Sequence, residues 1–165
     1  MTLVEAAARA DELAQAGDER SVAALRVQWD EEIEAAARDA DYRVRAQGYR
    51  AIAQFRFRQK LELLRRGLED ESPAARGSAL IALESLSRDH PGDVNSFRPL
   101  LHELAARDPN AAVLRLAVVC LRNGSPRPDT IQLLAGIAES DDEDAELRKS
   151  ARAVHAALKK KAAAR

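Results

Sequence analysis

Asp70-Glu71-Ser72-Pro73-Ala74-Ala75-Arg76 runs from a turn into a helix, and Gly77-Ser78-Ala79-Leu80-Ile81-Ala82-Leu83-Glu84-Ser85-Leu86 continues it. Proline lacks a backbone N–H, so Pro73 suits a first helical turn, where that N–H has no partner to lose. Ala79, Leu80, Ala82, Leu83 and Leu86 then recur at helical spacing and form one apolar stripe of alternating small and large side chains. A helix this short cannot hide such a stripe alone. It needs a neighbour on each side, and the neighbours need neighbours.

The same design recurs along the chain. Asp39-Ala-Asp-Tyr-Arg-Val-Arg45, Asp108-Pro-Asn-Ala-Ala-Val-Leu-Arg115 and Asp141-Asp-Glu-Asp-Ala-Glu-Leu-Arg148 each place an Asp in a turn and an Arg six or seven residues later. Ile33, Leu64, Leu101 and Leu134 precede the four aspartates by six or seven positions, and the aspartates lie 31, 38 and 33 residues apart. A period in that range, with two helices per unit, is the mark of an α-solenoid. Counted from the aspartates, the third and fourth turns carry one extra residue. The repeated Asp is expected to accept backbone N–H bonds at a helix start, and the Arg to link neighbouring turns.

These units resemble HEAT repeats, particularly the short bacterial HEAT-like kind; residues 30–160 carry the resemblance and residues 2–28 look like a degenerate first unit. The expected fold is therefore all-α: a right-handed α-solenoid of about five antiparallel helix pairs, with residues 1–165 forming a single HEAT-like domain. Composition agrees. Ala, Leu, Arg and Glu dominate, while β-branched and aromatic residues are scarce. About ten short helices are predicted, with breaks at Gly17, near residue 29, at Ser72-Pro73, at His90-Pro91-Gly92, at Asp108-Pro109 and across residues 124–128.

Several function classes fall away. No apolar run approaches the ~20 residues of a membrane span, and the first residues lack the pattern of a signal peptide, so the chain reads as cytoplasmic with no membrane partner. The single cysteine, Cys120, cannot build a disulfide framework and falls at a core position of its repeat, where a small buried hydrophobe is expected. His90, His102 and His155 sit in different units without metal-ligand spacing, and the seven glycines form no phosphate loop, so no catalytic residue, metal or cofactor is expected. The acidic run from Glu139 to Glu146 lacks calcium-loop spacing and its central glycine, and reads as a solvated turn ahead of a helix.

Charge is uneven. Residues 1–41 carry a net −7, residues 42–66 a net +7 and the remainder −1. The basic segment holds Arg43, Arg45, Arg50, Arg56, Arg58, Lys60, Arg65 and Arg66 together with Tyr42, Tyr49, Phe55 and Phe57. Such interleaving suits nucleic-acid binding. The resemblance extends in that direction to HEAT-like alkylpurine DNA glycosylases, for which Trp29-Asp30 beside the basic segment invites comparison; those enzymes are longer and more basic. A bilin lyase of the phycobilisome HEAT-like group is a third reading, and no residue here argues for it. The favoured view is that Tyr49 and Phe55 are core and that the bases balance the adjacent acidic helix.

The leading functional expectation is a non-catalytic scaffold that binds an unidentified protein partner on the concave face, lined by the second helix of each pair. Positions that the buried pattern leaves open form three rows: Gln47, Ser78, Leu116 and Lys149; Arg50, Ile81, Val119 and Arg152; Gln54, Ser85, Asn123 and Ala156. Ile81, Leu116 and Val119 would give an apolar centre within a polar rim.

Overall fold

The computed structural model describes residues 1–165, as nine α-helices and one short 3-10 turn without strands. Thr2 opens α1 (Leu3–Gln15) through a capping box: its hydroxyl accepts from the Glu5 N–H at 3.2 Å, and its own N–H donates to the Glu5 carboxylate at 2.8 Å. Asp18 caps α2 (Glu19–Ala37), which runs straight through Trp29-Asp30. The break predicted near residue 29 is absent because neither Gly nor Pro stands there to stop the helix, so two expected segments are one helix.

Then follow α3 (Tyr42–Gln54), the 3-10 turn Arg58–Lys60, α4 (Leu61–Leu68), α5 (Pro73–Ser87), α6 (Pro91–Arg107), α7 (Ala111–Leu121), α8 (Pro128–Glu139) and α9 (Ala145–Ala163). Pro73, Pro91 and Pro128 all stand at first helical positions. Pro99 is the exception. It lies inside α6 on its exposed side, where the ring meets solvent but the helix still loses one i→i−4 hydrogen bond.

The chain divides into two compact units, Met1–Leu86 and Ser87–Arg165. Within the first, α1 packs on α2 and α3, α2 on α3 and α4, and α3 on α4. Its core is built by Ile33, Tyr49, Ile52, Phe55, Leu64, Leu68, Leu80 and Leu83, none more than 2 % exposed. Within the second, α6 packs on α7 and α8 on α9, while α6 also meets α8 and α7 meets α9. Antiparallel pairs are thus stacked with first helices beside first helices and second beside second, the layering of a HEAT-like solenoid. Val94, Phe97, Leu101, Val118, Leu121, Leu134, Leu147 and Leu158 fill it. Cys120 is fully buried among them, at the core position its repeat assigns.

Candidate interaction surface

The repeated aspartates build the turns that aim the second helices. Asp39, Asp70 and Asp108 each accept the backbone N–H of the residue two positions on, Asp41, Ser72 and Asn110, at 2.8, 2.9 and 2.9 Å. Those three residues in turn accept N–H groups of the helix start through their side chains. Arg45 donates to the Asp39 and Ala40 carbonyls of its own turn and, through Nε and an Nη, to both carboxylate oxygens of Asp70 at 2.7 and 2.8 Å. Arg76 repeats the first half of this on the Asp70 and Glu71 carbonyls. One guanidinium therefore closes a turn and ties it to the next repeat. Burial opposes the charge of Asp70, but Arg45, the Ser72 N–H and the Tyr49 hydroxyl together hold its carboxyl below the usual range.

These bonds also correct the register. Asp108 stands two residues before its helix cap, as Asp39 and Asp70 do, so the third turn has no extra residue. Leu114 occupies the fourth helical position held elsewhere by Arg45 and Arg76, and Arg115 points to solvent. In α9, capped by Asp144, Arg148 is again fourth, and the equivalents of Gln47, Arg50 and Gln54 are Ser150, Ala153 and Ala157. Lys149, Arg152 and Ala156 are exposed but lie one residue early, about 100° around the helix from the intended rows.

Four expected residues come together in the first unit. Arg50, Gln54, Ile81 and Ser85 line a depression of about 370 Å³ with Asp11, Ala53 and Ala82. Ile81 is 42 % exposed at its edge, and Gln47 is exposed one turn before Arg50. Ser78, expected on this face, is instead 5 % exposed: a side chain this small is covered wherever its helix packs at close range. In the second unit Leu116, Val119 and Asn123 are half-buried, and the Asn123 amide donates to Ser87 Oγ at 3.0 Å.

Asp11 had no signal in the sequence, because only the packing of α1 on α3 brings it to the depression. Its carboxylate pairs with Arg56 at 2.6 Å and accepts from Gln15 at 2.8 Å. Arg56 itself closes α3 in the left-handed region at φ 52, where its N–H bonds the Ala53 carbonyl and the Phe57 N–H bonds the Ile52 carbonyl.

At least half of the eight bases of the basic segment pair with the first unit's own acids. Lys60 pairs with Asp30 and Glu34, Arg56 with Asp11, Arg45 with Asp70, and Arg65 with Glu62. Tyr49, Phe55 and Phe57 are buried, which leaves Tyr42 as its one exposed aromatic. Asp30 is held by Lys60, and the neighbouring Trp29 indole nitrogen is buried.

A second polar cluster fastens the loop before α8. Asn95 exchanges hydrogen bonds with Ser125, Arg98 donates to Asn95 Oδ1 and the Ser125 carbonyl, and His102 Nε2 meets Thr130 Oγ1 at 2.8 Å. Burial, with Arg98 and Arg127 nearby and only Asp129 opposing, holds the His102 imidazole below its ordinary pKa.

No helix is long and apolar enough to cross a membrane. Comparison with curated proteins returned no match. Residues 30–103, from within α2 to within α6, match the family model for HEAT repeats. That stretch therefore matches HEAT repeats, and beyond it the pairing of α6 with α7 and of α8 with α9 continues the same layering.

Proposed function

We propose that this protein is a non-catalytic cytoplasmic scaffold whose partner, another protein, sits on the open face of α3 and α5. The observation that carries this reading is the convergence of Arg50, Gln54, Ile81 and Ser85 on one depression. A half-exposed aliphatic side chain within a polar ring resembles the centre and rim of a protein interface. HEAT repeats commonly serve protein interaction, which supports the same class of function. Gln47 extends the face along α3, and Leu116, Val119 and Asn123 are the corresponding candidates of the second unit, with Ser150 and Ala153 standing in α9 where Lys149 and Arg152 were expected.

A photo-crosslinking residue placed at Gln54, in cells of the natural host, tests the reading. The expected product is a discrete protein adduct that is lost when Ile81→Asp is added and is absent when the crosslinker stands at Glu31 on α2. Adducts of equal yield from both positions, or adducts to nucleic acid alone, would overturn it. The nucleic-acid alternative draws less support, since at least half of its eight bases are paired with acids and three of its four aromatics are buried.

A further inference from the structure

We infer that the element this face receives is an acidic peptide segment bearing one aliphatic or aromatic side chain, an inference that rests on the binding role proposed above. Arg43, Gln47, Arg50 and Gln54 are spaced by four, three and four residues, so they form one stripe along α3. That stripe contains two cations and no acid. Arg43 lies 5.6 Å from the centre of the Tyr42 ring, and Arg50 makes neither a hydrogen bond nor an ion pair. The carboxylates nearest the face do not neutralise it. Asp11 is taken by Arg56 and Gln15, and Glu84, one turn beyond Ile81 on α5, is half-buried and already partnered.

An unpaired guanidinium beside a depression is a fork for a carboxylate, which it can hold through two parallel hydrogen bonds. Ile81, 42 % exposed at the edge, offers apolar surface for one side chain above the buried Ala53 and Ala82 that floor the depression. The depression, about 370 Å³, suits an anchor side chain of a short segment. Gln54 and Ser85 supply an amide and a hydroxyl for peptide backbone. Attraction by Arg43 and Arg50 sets the sign of the segment, and Ile81 sets the need for an apolar anchor.

Panning a random peptide library displayed on phage against the whole chain tests this. Enriched peptides should be net acidic with a Leu, Ile, Phe or Trp among the acids. A fluorescein-labelled synthetic copy should bind about tenfold or more weakly to Arg50→Glu and to Ile81→Asp, and more weakly in high salt. Replacing its acids by lysine should restore binding to Arg50→Glu, a recovery that a misfolded variant could not give. Enriched peptides that are neutral or basic, or that bind Arg50→Glu as well as wild type while losing Ile81→Asp, would overturn the acidic segment and leave the binding face standing. Enriched peptides indifferent to both substitutions, or no enrichment at all, would overturn the acidic segment together with the face.

Discussion

Arg56 does in α3 what Gly17 does in α1. Both close a helix in the left-handed region, at φ 52 and φ 78, with the same pair of carbonyl bonds behind them. Glycine holds that conformation freely, whereas a residue with a Cβ is strained by about 1 kcal/mol. Arg56 offsets the strain with its guanidinium, which donates to the Ala53 and Gln54 carbonyls and to Asp11. Arg56→Ala keeps the strain and loses these bonds; Arg56→Gly loses both the bonds and the strain. The glycine variant should therefore be the more stable of the two by about 1 kcal/mol in urea melts, and the reverse order would show that the backbone there is unstrained. Arg45 and Asp70 were legible as members of the repeated Asp and Arg series, and the Arg as a link between turns; that Arg45 takes Asp70, 25 residues on, as its partner was not.

At the scale of elements, small residues decide how closely helices approach. A Cβ at Gly48 would lie 2.7 Å from the Ala37 backbone nitrogen and 3.0 Å from the Ala36 carbonyl carbon, so α3 rests directly on the end of α2. Backbone cannot swing aside as the tip of a side chain can. Gly48→Ala gains about 1 kcal/mol of helix propensity and should still destabilise by a net 1–3 kcal/mol, read as a lower urea midpoint with an unchanged slope. A midpoint equal to or above that of the wild type would mean that α2 and α3 can part without loss. The boundaries of these elements were read well where a proline marks a helix start, as at Pro73. The false break near residue 29 arose because polarity alone does not end a helix.

For the whole molecule, the groups with displaced pKa values set how stability depends on pH. His102 has a lowered pKa through burial, so the unfolded chain binds its proton more readily than the folded one. Its contribution is present above the unfolded value of about 6.5 and is lost as pH falls below it. Glu34, held low by its Lys60 bond, and Asp70 have depressed carboxyl pKa values, and their contribution is lost later, as pH falls below about 4. Unfolding midpoints should decline gently from pH 7 to 5 and steeply below 4. His102→Gln, which can keep a bond to Thr130, should flatten the first part alone. A gentle decline that persists in this variant would remove His102 as its cause.

What the sequence determined by itself is local: helix starts, the paired small and large residues of each stripe, the Asp turns and the period that stacks them. Each depends on groups within a few residues of one another, and the same turn chemistry written repeatedly makes a repeat visible. Tertiary structure alone decided which stripe stays open. Ser78 is covered and Ile81 is not, although both follow the same helical count, because coverage depends on how closely a neighbouring helix approaches. It also decided the partners of the basic segment. Lys60 reaches back 30 and 26 residues to Asp30 and Glu34, and Arg56 reaches back 45 to Asp11, distances over which charge in a sequence specifies attraction but no address.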